Sequence, residues 1–172
     1  MKRSLFAVGV LLIVCSIVVL AQTPVPDKDP RLGTWKINFA KSTPVAGPQP
    51  QLSLKRWESR PDGSTVFTQA IIDAQGNPHF IHNAYKLDGK DYPSYRDADL
   101  LPVLAGTQKP GTTSVKLVDA YTVFVSTKDG KGVAAVPYAA TVSKDGKTLT
   151  YTSKGRNAQG QEINNVTIHD RQ

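Results

Sequence analysis

The chain has 172 residues, a formal net charge of +7 and one cysteine. A lone cysteine excludes a disulfide framework, and because Cys15 falls outside the region that reads as a folded domain, that domain has no thiol nucleophile or cysteine metal site. The basic residues are scattered, with no like-charge run longer than Lys55-Arg56; this argues for solubility and against nucleic-acid binding, whose basic residues cluster on one face.

Residues 1–21 read as an export signal. Lys2 and Arg3 form a positive start, Leu5 to Leu20 is almost wholly apolar, and Ala21 precedes the expected cut at Gln22. A retained anchor is the alternative, but the apolar run is slightly short of the roughly 20 residues that a membrane helix needs. Val14 before Cys15 argues against lipidation. The mature chain, at +5 without Lys2 and Arg3, is expected in the periplasm or outside the cell, with no membrane attachment. Residues 22–31, rich in proline and charge, form a linker. Residues 32–172 form one domain.

The first predicted strand is 33–40. Gly33 lets the chain turn in closely, Trp35 plugs one end of the fold, and Ile37 and Phe39 follow on the same side at period two. Lys41 to Pro50 holds Pro44, Gly47, Pro48 and Pro50, so an extended loop is expected. Strands 51–60 and 64–74 flank the turn Pro61-Asp62-Gly63-Ser64. Gln75-Gly76-Asn77-Pro78 turns the chain into 79–87, and Asp88-Gly89-Lys90 ends that strand.

Residues 91–113 break the rhythm. Connections this long are uncommon in compact domains and often functional. Tyr92, Tyr95, Leu100, Leu101, Val103 and Leu104 make the segment too apolar to lie free in water. It is expected to be either the lid of a barrel mouth or a flap on the outside of the sheet, with a short helical turn near 96–104. Residues 114–119 and 121–127 then read as two short strands or one bent strand. Asp129-Gly130-Lys131-Gly132 leads into strand 133–143, Lys144-Asp145-Gly146-Lys147 into 148–156, and Ala158-Gln159-Gly160-Gln161 into the closing strand 162–170. About eight to ten strands joined by glycine-bearing hairpins predict an all-β, antiparallel up-and-down barrel, whose closure removes exposed edges.

Gly33-x-Trp35 resembles the opening motif of lipocalins, and Gly33-Thr34-Trp35-Lys36 resembles the start of fatty-acid-binding proteins. The span 32–172 also resembles a group of small exported bacterial proteins described as lipocalin-like. The matching pieces are Leu32 to Lys36, Ala40-Lys41-Ser42, Asp88 to Pro93, Ser143 to Thr148 and Asn157 to Gln161. The resemblance implies a lipocalin-like barrel that holds a small hydrophobic ligand. Two features depart from fatty-acid-binding proteins. Lys41 to Pro50 is too short and proline-rich for their helix pair, and Thr167 and His169 stand where their last strand carries an Arg-x-Tyr clamp.

No catalytic constellation is present. His79 and His82, three apart on a strand, point to opposite faces and lack the further ligands zinc requires. Asp97 and Asp99 are followed by Leu100-Leu101-Pro102, which is not a calcium loop. Glu58 and Glu162 form no readable carboxylate pair, and there is no Gly-x-Ser-x-Gly elbow or phosphate cradle. Asn165-Val166-Thr167 matches a glycosylation acceptor but reads as sheet. Neither enzymatic activity, a cofactor nor a metal is expected.

The candidate ligand residues are Trp57, Phe67, Phe80, His82, Tyr95, Leu101, Tyr121, Tyr138 and His169, with Gly33 and Trp35 structural. Together with Tyr85, Phe124 and Tyr151, the aromatic residues either line a cavity or fill it, since a small barrel has room for side chains or one small ligand. The expected protein is therefore a monomeric exported barrel holding a small apolar or amphipathic molecule. The alternative is a filled-core envelope or interaction module that acts through its surface.

Overall fold

A computed structural model describes residues 28–43, 48–156 and 160–172. The expected export signal at 1–21, most of the linker, part of the proline-rich loop and part of the last turn lie outside the described residues. Ten antiparallel strands close on themselves in sequence order, an up-and-down barrel as the strand spacing predicts. They are β1 (Gly33–Asn38), β2 (Leu52–Ser59), β3 (Thr65–Ile72), β4 (Pro78–Tyr85), β5 (Asp88–Arg96), β6 (Gly111–Leu117), β7 (Thr122–Lys128), β8 (Tyr138–Val142), β9 (Thr148–Arg156) and β10 (Glu162–Arg171). A 3₁₀ turn, Phe39–Lys41, follows β1, and one short helix, α1 (Asp97–Leu104), lies between β5 and β6.

Closure is made by β1 against β10, with Trp35 opposite Arg171 and Ile37 opposite His169. Because successive strands alternate in direction, the barrel has two unlike ends. At the Trp35 end the β2–β3, β4–β5, β6–β7 and β8–β9 turns are tight. Their aspartates fix several of them: Asp62 Oδ1 accepts from the Ser64 amide at 2.9 Å, and Asp145 Oδ1 from the Lys147 amide at 3.1 Å. At the opposite end lie the longer connections, including α1 and residues 129–137.

Trp35 is fully buried, and its indole Nε1 donates to the Arg31 carbonyl at 2.8 Å. Gly33 has φ +114°, and a Cβ there would sit 2.9 Å from Arg171 Nη1, so glycine admits both the turn and the arginine. Around this floor Trp57, Val115, Val123, Ala140, Val142 and Leu149 complete the core.

Three expectations are corrected. The strand expected at 79–87 does end there, at Tyr85, but Asp88-Gly89-Lys90 is itself strand and not only a turn. β5 begins at Asp88 and pairs with β6 from Asp88↔Lys116 through a bulge to Ser94↔Gly111. Of the long connection 91–113, residues 91–96 and 111–113 are strand, and only α1 and 105–110 lie between strands. Pro93 hid this strand, because proline donates no ladder hydrogen bond. Finally, 133–137 is irregular, meeting the sheet at a Lys128↔Ala134 bridge and at the Pro137 carbonyl, which accepts from Ser153 Oγ at 3.1 Å, and β8 starts only after Pro137.

Candidate ligand cavity

Strand alternation sends one side chain in two into the lumen. From β2 these are Ser53, Lys55 and Trp57, and from β3 they are Phe67, Gln69 and Ile71. The lumen is not filled. A cavity of about 290 Å³ runs along it, walled by Trp57, Phe67, Ile81, Val125, Tyr138 and Tyr151, and it reaches the rim at the exposed Arg96. A second cavity of about 210 Å³ lies against Ile37, Phe39, Ile71 and His169. Lys55, Gln69 and Thr167 line both, forming their common wall.

The aromatic wall is held by pairwise contacts. Trp57 and Phe67 are cross-strand partners with ring centres 4.8 Å apart, and the Trp57 indole donates to the Tyr85 hydroxyl at 2.9 Å. Tyr138 and Tyr151 meet at 5.2 Å, and Tyr151 meets His169 at the same distance. Burial pushes the Tyr138 hydroxyl up to about 12 and raises Tyr85 and Tyr151 as well, so all three stay neutral hydroxyls.

The polar groups on this wall are few and unlike one another. Asn83 Nδ2 donates to Ser94 and Thr113 hydroxyls at 3.3 Å, while its Oδ1 has no partner. Gln69 donates to Ser53 Oγ at 3.0 Å. Lys55 is buried and sets its ammonium nitrogen 3.4 Å from the centre of the Tyr151 ring. Among the described residues no Asp or Glu lines either cavity, whereas Lys55, Arg96 and His169 do. Burial without a counter-charge lowers the Lys55 amine to about 7. His169 is lowered to about 3, first by burial and then by Lys55, and neither ring nitrogen finds a hydrogen-bond partner.

Of the nine residues that the sequence singles out for the ligand, Trp57, Phe67 and Tyr138 line the larger cavity and His169 the smaller. The other five are not lumenal. Phe80, His82 and Tyr95 sit on the outer face, because Ile81 and Asn83 of β4 and Ser94 and Arg96 of β5 take the inward positions. His82 Nδ1 lies 3.1 Å from the Thr68 hydroxyl there. Leu101 is 77% exposed on α1, and Tyr121 belongs to the β6–β7 turn at the Trp35 end.

His79 instead tethers α1, with Nδ1 2.7 Å from Asp97 and Nε2 3.2 Å from Asp73. Hydrogen bonds to these two carboxylates raise its pKa. Asp99 accepts from Gln108 at 3.2 Å. No grouping of three or more His, Cys, Asp or Glu suited to a metal occurs among the described residues.

Sequence reasoning missed Lys55, Gln69 and Arg96. A signal for the first existed: Lys55 shares strand parity with Trp57, so a lumenal tryptophan carries the lysine inward with it. No protein-family model matches the chain, and no curated protein is found as its relative.

Proposed function

We propose that this protein is a lipocalin-like binder: an exported, monomeric barrel that holds one small, largely apolar or amphipathic molecule in its lumen. The carrying observation is the cavity of about 290 Å³, walled by aromatic and aliphatic side chains and open at the Arg96 rim. Ligand sites are concave and mostly apolar, with a few placed polar groups that orient the guest. Here Lys55, Gln69 and Asn83 supply those groups. The Gly33-x-Trp35 opening and the up-and-down strand order support the lipocalin-like assignment. The volume lies at the small end of ordinary ligand sites, which favours a compact guest over a long-chain lipid.

Native mass spectrometry before and after organic extraction tests the reading, together with tryptophan quenching by a compact aromatic probe. A co-purifying mass that extraction removes, or saturable quenching lost in Trp57→Phe, is expected. A protein with neither property is not a lumenal binder. The second reading, a module acting through its surface, is favoured by Leu101 and Leu104, 77% and 73% exposed on α1. It requires that no apolar probe saturates.

A further inference from the structure

We propose that Lys55 captures a carbonyl ligand, an apolar aldehyde or ketone seated in the lumen, as an imine on its ε-amino group. This rests on the lumenal-binding reading and names the chemical class of the guest.

Lys55 is buried on β2, and its nitrogen faces the Tyr151 ring of β9 with no carboxylate beside it. The titratable and charged groups along the same lumen are His169 on β10, Tyr151 on β9, Tyr138 on β8, Tyr85 on β4 and Arg96 on β5. None of these carries negative charge at neutral pH, because the three tyrosines are raised and the other two are bases. A buried ammonium with no counter-ion is costly, and losing the proton removes the cost. Lysine readily takes this route, and the neutral amine that results is a nucleophile. The value of about 7 agrees with that geometry. Against an ordinary lysine near 10.4, it means roughly a thousandfold larger neutral fraction at pH 7.

Position supplies the second half. Lys55 stands in the wall common to both cavities, so its amine is within reach of a guest in either. Tyr151 contacts both Lys55 and His169, which brings an unpartnered imidazole close to the amine. The aromatic wall suits the apolar body of an aldehyde, and Gln69, the cross-strand partner of Lys55, and Thr167 line the same cavity and offer hydrogen bonds to its oxygen.

The chemistry balances without a further reagent. The Lys55 lone pair forms the C–N bond as the carbonyl π pair moves to oxygen, and proton transfer from nitrogen to oxygen gives a neutral carbinolamine. The remaining N–H proton leaves as the C=N bond forms, and the hydroxyl departs with one proton as water. The net change is aldehyde plus amine to imine plus water, and hydration reverses it.

The test uses three probes of one skeleton: para-isopropylbenzaldehyde, the matching benzyl alcohol and the matching benzoate. Each is given to wild type, Lys55→Met and Lys55→Arg, the aldehyde in the presence of cyanoborohydride, followed by intact mass and peptide mapping. We expect a single reduced adduct on Lys55, formed at pH 7 at least about tenfold faster than on any other lysine, and absent from both variants. The alcohol should quench Trp57 in wild type and form no adduct. Wild-type mapping locates the adduct even where a variant fails to fold. Binding of the alcohol with no aldehyde adduct on Lys55 overturns the imine and leaves lumenal binding standing. Benzoate binding about tenfold tighter than alcohol in wild type and Lys55→Arg, again without adduct, makes Lys55 an anion anchor and also overturns it. Failure of all three probes to bind removes both readings.

Discussion

The guanidinium of Arg171, near the end of the closing strand, lies 4.2 Å from the centre of the Trp35 indole on the opening strand. Its nitrogens also donate to the carbonyls of Leu32 at 2.8 Å and Pro30 at 2.6 Å, and to that of Gly146. One side chain thus joins the first strand, the chain that enters it and the β8–β9 turn. Trp35→Ala should therefore cost about 3–5 kcal/mol, the usual loss on emptying a buried aromatic site. An unchanged denaturation midpoint would mean that the floor does not depend on the indole.

Arg171 is the second half of that clamp, and lysine cannot copy it. A planar guanidinium lies flat on the indole while its fork of five N–H groups reaches several carbonyls, whereas an ammonium is a compact point charge that cannot do both from one position. Arg171→Lys and Arg171→Met should both lose about 1–3 kcal/mol, with little rescue by the retained charge. Full recovery in the lysine variant would refute the geometric account.

Lys55 predicts an alkaline rise in stability. The folded amine titrates at about 7, and the unfolded one near 10.4. Between these values the unfolded chain binds a proton that the folded chain has lost, so stability increases with pH across that window. Relative to Lys55→Met, wild type should gain on the order of 3–4 kcal/mol from about pH 7 to about pH 10. Urea denaturation at both ends measures this. A flat difference would show that the amine keeps its charge in the fold.

His169 predicts the opposite limb. Its folded pKa of about 3 lies below the unfolded value near 6.5, so the stability from holding it neutral is complete above about 6.5. It is lost as pH falls toward about 3. Imidazole carbon chemical shifts should show no titration of His169 above about pH 4, while the exposed His79, tied to two carboxylates, titrates above the usual value. A midpoint for His169 near 6.5 would contradict its burial.

The α1 connection bears on guest exchange. Ser94 and Gly111 are already ladder partners, so α1 and 105–110 are not needed to join β5 to β6. Replacing residues 98–109 with a short Gly-Ser turn should leave the barrel folded. If this segment covers the Arg96 rim, the off-rate of a lumenal probe should rise about tenfold, near 1.4 kcal/mol of barrier. Unaltered probe kinetics in a folded variant would assign α1 to the outside of the barrel.

How much of this was legible follows from particular strands. Glycine-bearing turns and alternation located most strands and the closing order, and Gly33-x-Trp35 located the floor. Alternation does not say which face is inside when both faces mix polar and apolar groups. In β4, Phe80-His82-Ala84 competes with Ile81-Asn83-Tyr85, and the second set faces inward. Polar residues in the lumen ran against the expectation that charge lies outside, which concealed Lys55 and Arg96. β5 escaped because Gly89 and Pro93 look like breaks, while its pairing depends on β6, about twenty residues further on.

The antiparallel closure of β1 on β10 has a consequence for how the domain is displayed. Chain entering at Leu32 and chain leaving at Gln172 pass side by side, with the Gln172 amide on the Thr34 carbonyl at 3.0 Å. Any tether attached to either side of this domain pulls from the Trp35 floor, and the Arg96 rim points away from it. A surface-grafted copy would therefore present its opening outward whichever end was anchored. Joining the two ends and cutting at the Asp73–Asn77 turn would give a permuted barrel anchored by the rim, with the floor outermost.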